Sequence, residues 1–297
     1  MTRTRGFTLI ELAIVLVIIT ILIGGLAVPL SAQIQARRIA ETKKTLEEAR
    51  EAIIGYAMTH ATGTCACTYT STGLETGTST CLPLTLCPSH PDPLDATSAT
   101  GTVTLTLQPR HYIPCPDLME NDPEPNLDND GDGSLRDLNN GREDRYKASG
   151  KIGECASRSG NLPWVTLGTG QQDAWGNRLR YVVTENFANG TAGFVSTDTG
   201  KIEICSSSTC ASVDVADQIV AAIISHGPNG WGARSIHGAL LKNPASADEL
   251  ENTNGDNRIV SRSPTAADSS SGEFDDLVVW ISAGQLRGRV CPAGGCP

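Results

Sequence analysis

Aromatic residues are scarce in this sequence: phenylalanine, tyrosine and tryptophan together supply 4% of 297 residues, against 39% hydrophobic, with 30 glycines and 16 prolines. That balance leaves no room for an aromatic-rich core. It describes a loop-rich globular part, long enough for one sizeable domain or two small ones. An excess of basic charge is missing too. The formal net charge is −10, and Arg37, Arg38, Lys43, Lys44 and Arg50 roughly balance the acids of residues 33–51, so the acidic excess belongs to the chain beyond. Phosphate contacts need a basic face, so nucleic acid is not an expected partner, whereas divalent cations are plausible ones. Enzyme signatures are absent: there is no H-E-x-x-H, no G-x-S-x-G and no phosphate-binding loop. Ser225 and His226 adjoin, but neighbours in sequence do not form a triad, and Pro228-Asn229-Gly230 follows as a turn signal. His226 therefore reads as a turn or packing residue, and no enzyme is expected. Trp164, Trp175, Trp231 and Trp280 are scattered between predicted strands and read as core rather than as a carbohydrate platform.

Charge is also nearly absent near the start. Arg3 and Arg5 precede Gly6, and over residues 7–30 the only ionisable side chain is Glu11. Such a run makes about 36 Å of helix, enough to cross a hydrocarbon core of about 30 Å. The arginines would keep the short leader on the cytoplasmic side and send the bulk of the chain outwards. Gly24, Gly25 and Pro29 predict a pliable far end. Two competing readings are an uncleaved anchor and an ordinary secretory signal cut near Leu30-Ser31-Ala32; the run is long for the latter, and Glu11 is unfavourable within it. A carboxylate inside a membrane helix costs about 2.5 to 3.5 kcal/mol on insertion scales and needs a partner. Cleavage after Gly6 would create one, the α-amino group of Phe7, available to a neighbouring copy.

Gly6-Phe7-Thr8-Leu9-Ile10-Glu11-Leu12 followed by an apolar helix resembles the class III signal of the type IV pilin superfamily, which includes the pseudopilins of type II secretion. The resemblance implies cleavage between Gly6 and Phe7 by a prepilin peptidase and N-methyltransferase, and methylation of Phe7. It also implies a filament in which Glu11 meets the amino terminus of an adjacent subunit, assembled from other pilin or pseudopilin subunits on an inner-membrane platform. A second likeness lies further on. Ile113-Pro114-Cys115-Pro116-Asp117, Cys155, Leu162-Pro163-Trp164 and Asp173-Ala174-Trp175-Gly176-Asn177 leading into residues 179–183 resemble large pilin-like proteins, and the Asp-x-Trp-Gly-Asn turn resembles the major pseudopilins. This implies a Cys115 to Cys155 bridge.

The resulting division is a leader at 1–6, a transmembrane helix at 7–30, the periplasmic half of the same helix at 31–58, a Thr- and Cys-rich insertion at 59–110 and a globular pilin-like β domain at 111–297. Ile39, Leu46, Ala49, Ile53 and Tyr56 or Ala57 recur at helical spacing, so one stripe of the second helical half is expected to pack on a sheet. Predicted strands lie at 179–183, 202–205, 219–225, 258–261 and 277–282, with no βαβ alternation. The fold class is α+β: a long N-terminal helix packed on a mainly antiparallel sheet, with disulfide-rich loop insertions. All ten cysteines lie beyond the apolar run and read as disulfides of a periplasmic domain. Cys205 with Cys210 and Cys291 with Cys296 have metal-compatible spacing, but no histidine pair stands near them. Cys65, Cys67, Cys81 and Cys87 allow three pairings, in which Cys65 and Cys67 reach the other two more readily than each other.

Two acidic constellations are candidate calcium sites. Asp128, Asp130 and Asp132 fit D-x-D-x-D-G, with Ser134 next, but the twelfth position is Asn139, so this is a bare loop, closed by Asp137 or by Glu143 and Asp144. The competing reading is a solvated acidic turn. The second constellation joins Glu251, Asn252 and Asp256 with Asp275 and Asp276, and resembles the C-terminal calcium site of some pseudopilins; the alternative is ordinary turns and strand ends. Taken together, the resemblance implies a subunit of a type II secretion pseudopilus or a type IV pilus, single-pass in the inner membrane with a periplasmic domain and in a filament after assembly. The rival is a non-polymerising, membrane-anchored periplasmic calcium-binding or adhesin-like protein.

Overall fold

The computed structural model describes residues 8–62, 110–119, 139–145, 153–291 and 296, and the backbone of three short strands between 66 and 106; the side chains of 22–30 lie outside the description. Helix α1 spans Leu9–Thr59. It begins at a capping box: Glu11 N donates to Thr8 Oγ1 at 3.4 Å, and Thr8 N donates to Glu11 Oε2 at 2.9 Å, which satisfies two donors that a helix start leaves open. It runs unbroken past Gly24, Gly25 and Pro29 and ends where His60 turns extended. Among the described residues no helix is long and apolar enough to cross a membrane. The rest of the apolar run falls on side chains outside the description.

Strands β1 (Ala66–Tyr69), β2 (Glu75–Gly77) and β3 (Val103–Thr106) form a three-stranded antiparallel sheet in order β2-β1-β3. β3 lies near the end of the Thr- and Cys-rich insertion. The main sheet holds β4 (Ser159–Asn161), β5 (Arg180–Val183), β6 (Ile202–Cys205), β7 (Ala216–Ser225), β8 (Arg258–Val260) and β9 (Leu277–Ser282). β7 is its spine. Residues 221–224 pair with β5 on one side, 219–225 pair with β9 on the other, and the beginning of β7 pairs with β6. Pairing is antiparallel except between β6 and β8. Four helices follow β4 along the chain: α2 (Trp164–Leu167), α3 (Glu185–Ala188), α4 (Ala247–Glu251) and α5 (Ala283–Val290). The α+β class stands, with short helices between strands that hydrophobic periodicity does not reveal at this length.

Alternation along the strands divides the core between the two faces of the sheet. On one face Tyr181, Val183, Ala221, Ile223 and Ile281 meet Leu46, Ala49, Ile53, Ile54 and Ala57 of α1, with Leu286 of α5. On the other, Val182, Ile202, Ile204, Ala222, Ile224 and Ile259 form a second cluster under the loops. The predicted stripe of α1 docks from Leu46 to Ala57, with the addition of the fully buried Thr42, while Ile39 stays half-buried outside the core cluster. Among the described residues the aromatics in the interior are Tyr56, Tyr181, Phe187, Phe194 and Phe274, whereas all four tryptophans are half-buried. The tryptophans are rim residues: Arg178 lies 3.8 Å over the Trp164 ring and Lys242 lies 4.2 Å over that of Trp231.

Three disulfides staple this domain. Cys115 pairs with Cys155 at a Cα separation of 5.3 Å, Cys205 with Cys210 at 6.1 Å and Cys291 with Cys296 at 5.1 Å. The latter two are thereby closed to metal. The side chains of Cys65, Cys67, Cys81 and Cys87 lie outside the described residues.

Candidate functional site

The site expected from the sequence at the chain start is in part open to description. Gly6 and Phe7 lie outside the described residues. Glu11 is exposed, and Oε2 of its carboxylate accepts from the amide and hydroxyl of Thr8, at 2.9 and 2.8 Å. Every large aliphatic side chain from Leu9 to Ile21 is exposed, with Leu9 at 89%. The chain thus presents a cylinder of apolar surface with one carboxylate near its tip. Surface of this kind is covered by lipid or by other helices in any stable state.

The turn Asp173-Ala174-Trp175-Gly176-Asn177 holds the other half of α1. Asp173 Oδ1 accepts from the amides of Trp175 and Asn177, each at 2.9 Å, and Oδ2 accepts from Ser225 Oγ at 2.8 Å. Gly176 sits at φ +89°, where a residue without Cβ is favoured. So folded, the turn offers Ala174 N to Thr42 Oγ1 at 3.1 Å and Trp175 Nε1 to Gln35 Oε1 at 3.4 Å. Burial raises the Asp173 carboxyl above its ordinary range, against the pull of these donors. Ser225 is fully buried and bonded to Asp173, so it forms no nucleophilic pair with His226.

Beyond β7 the structure gathers an acidic cluster. Glu249 of α4, Asp275 and Asp276 each offer a carboxylate oxygen, all within 4.8 Å of one another. Asp276 points back to the earlier loop, where Asn252 Nδ2 donates to its Oδ2 at 2.8 Å and Asn252 Oδ1 accepts from Val260 N at 2.7 Å. Asp275 Oδ2 accepts from Asn229 N at 3.1 Å, and Asp275 N donates to Glu249 Oε1 at 3.0 Å. The Oδ1 atoms of Asp275 and Asp276 have no hydrogen-bond partner. His226 is buried beside them, its Nδ1 3.4 Å from Asp276 Oδ1. Gly227, at φ +58°, passes so close that a Cβ there would stand 2.5 Å from Asp275 Oδ1. Burial, reinforced by the charges of Glu249 and Asp276, pushes the Asp275 carboxyl up to about 7; burial, then Asp276, raises that of Glu249. Of the residues expected here, Asp275, Asp276 and Asn252 come together. Glu251 and Asp256 stay on the surface turn, each near Asn254 Nδ2 at 3.3 and 2.9 Å. Glu249 was missed, and an α4 of five residues leaves no periodic signal by which to place its side chain.

The earlier acidic loop, with Asp128, Asp130, Asp132, Ser134 and Asp137, lies outside the described residues. Its suggested closers are engaged elsewhere: Glu143 accepts from Tyr56 Oη at 2.8 Å and Cys115 N at 2.9 Å and pairs with Arg145, while Asp144 Oδ2 accepts from Leu118 N at 2.6 Å.

Residues 1–27 match a family model described as the prokaryotic N-terminal methylation motif. The chain therefore carries the signature of the prepilin-type segments of type IV pilin-like proteins. No curated protein and no solved structure matches it.

Proposed function

We propose that this chain is a prepilin-like subunit of a type II secretion pseudopilus or a type IV pilus, processed between Gly6 and Phe7 and polymerised through the first half of α1. The observation that carries this reading is the methylation motif over residues 1–27. The geometry supports it: the motif opens a helix whose large aliphatic side chains from Leu9 to Ile21 are exposed and whose second half is fixed to the sheet. Before assembly the apolar half lies in the inner membrane, with the disulfide-stapled domain in the periplasm. After extraction, Glu11 exchanges Thr8 for the methylated amino terminus of a neighbour. The role is mechanical rather than enzymatic, and its partners are other pilin or pseudopilin subunits, the prepilin peptidase and the assembly platform. Mass spectrometry of the membrane fraction tests the first step, with a mature chain beginning at methylated Phe7 as the expected result. An intact Met1, or a start after Ala32, overturns it. Glu11→Ala then separates a polymerising subunit, which loses assembly, from a simple anchored protein, which keeps its membrane attachment.

Calcium belongs to the same reading. The cluster of Glu249, Asp275 and Asp276 fits a hard divalent cation: three carboxylate oxygens converge, and Oδ1 of Asp275 has no donor. Bound there, Ca²⁺ would neutralise the mutual repulsion and join α4 to the start of β9. Calorimetric titration with Ca²⁺ checks this; Glu249→Gln should weaken binding at least about tenfold, and a chain that takes up no Ca²⁺ in the millimolar range excludes the site.

A further inference from the structure

The sheet face turned away from α1 holds a cavity of about 510 Å³, walled on its apolar side by Leu118, Met119 and Leu240. Arg180 of β5 lies opposite Ile224 of β7, on the face of the second core cluster, and enters this cavity from below. It is 9% exposed. Other arginines of the domain spend Nη donors on the protein, although Nε of Arg145 is likewise buried without a partner. Arg145 holds Glu143 and the Ile113 carbonyl; Arg178 reaches Asn139, Gln171 and the Ile236 carbonyl; Arg262 pairs with Asp248 and donates to Thr265. The Arg180 guanidinium, among the described residues, makes no hydrogen bond and no ion pair. Its Nε is buried without a partner, and so is the hydroxyl of Ser159 beside it.

A buried guanidinium with unused donors is unfavourable unless an anion meets it. The groups that act on Arg180 do not resolve this. Burial and the neighbouring Arg234 both disfavour its charge, and Asp276 supports it only through space while hydrogen-bonded to Asn252. Gly255, at φ +74°, stands over the same spot: a Cβ there would lie 3.2 Å from Ser159 Oγ and 3.3 Å from the Arg180 guanidinium. The backbone of this turn therefore keeps side-chain bulk away from both unused donors.

We propose that this cavity binds a small organic carboxylate, its two oxygens on the Arg180 guanidinium and its apolar body against Leu118, Met119 and Leu240. The volume falls in the range of small-molecule sites, and a guanidinium fork matches a carboxylate in two parallel bonds. Arg234, which lines the same cavity, donates to the Gly238 carbonyl at 2.8 Å, so with Asp276 nearby the one guanidinium left for an anion favours a monoanion over phosphate. The carboxylate can belong to a free molecule or to the carboxyl terminus of a polypeptide. The site does not depend on whether the chain polymerises.

The test uses the full chain in detergent, titrated with benzoate, benzamide, inorganic phosphate and an acetylated Ala-Ala-Leu tripeptide with a free or amidated end, followed by calorimetry and indole NMR signals. Benzoate or the free-acid peptide should bind, and the preference between them identifies the source of the carboxylate. Binding should fall by about tenfold to a hundredfold in Arg180→Leu, and should be lost in Leu240→Trp, which fills the rim without touching the core. If Arg180→Leu does not fold, Leu240→Trp together with the neutral amides decides the matter. Equal binding of benzamide and benzoate, stronger binding of phosphate, unchanged binding in the variants, or no carboxylate binding up to about 50 mM overturns the proposal.

Discussion

The two halves of α1 are built from similar aliphatic residues and meet opposite surroundings. From Leu9 to Ile21 the large side chains are all exposed, whereas Leu46, Ile53 and Ile54 are at 0%. Hydrophobicity alone does not decide burial within this subunit; a facing surface does. The second half finds one because Tyr181, Val183, Ala221 and Ile223 alternate onto the α1 side of the sheet and the turn at Asp173 grips Thr42. From Leu9 to Ile21 the first half meets no such surface among the described residues.

Mutation should expose this asymmetry most clearly in the core. Ile53→Ala is expected to cost about 2–5 kcal/mol in urea unfolding of the detergent-solubilised chain, while Ile14→Ala should change the same transition by less than about 0.5 kcal/mol. Equal losses would break the comparison. Acidity should sharpen it, because among the described residues it is the docked domain that buries titratable groups. Asp117 is fully buried, and desolvation pushes its carboxyl up to about 7, although Asn161 and backbone amides pull it down. A carboxyl raised in the folded state contributes stability that is complete below its ordinary pKa of about 4 and is lost as pH climbs to about 7. The domain should therefore lose on the order of 4 kcal/mol across that window, and Asp117→Asn should flatten the profile, as read from unfolding midpoints at successive pH values. A profile unchanged by the substitution would assign the dependence elsewhere.

The clamp offers a smaller effect. Asp173→Ala removes the acceptor of two backbone amides and the Ser225 hydroxyl, and should cost about 2–3 kcal/mol while speeding amide exchange around Thr42. Smallest of all, Thr8→Ala removes the capping box. Fraying by about 1 kcal/mol at the start of α1 should appear in NMR shifts there, without moving the domain's unfolding midpoint.

Much of this architecture is legible in the sequence because its signals are local. The apolar run behind Gly6, the spacing of Leu46, Ala49 and Ile53, and β-branched runs such as those of β6 and β9 each act over a few residues. The short helices α2 to α4 escape because four or five residues complete barely one turn and show no period. The acidic cluster was half legible for a related reason. Asp275 and Asp276 stand together in the chain, whereas Glu249 reaches them only through the packing of α4, and its nearer neighbour Glu251 faces the surface turn.

What the sequence determined by itself is whatever depends on neighbours along the chain: the motif of residues 1–27, the helix that follows, the strand pattern and the close cysteine pairs. The resemblance supplied the Cys115 to Cys155 bridge, and the fold bears it out across a separation of 40 residues. Only the tertiary structure decided which part of α1 is covered, which carboxylates share a site and that the buried Arg180, among the described residues, makes no hydrogen bond or ion pair. Those outcomes depend on distances between elements remote in sequence, which are set by how the two faces of one sheet are filled.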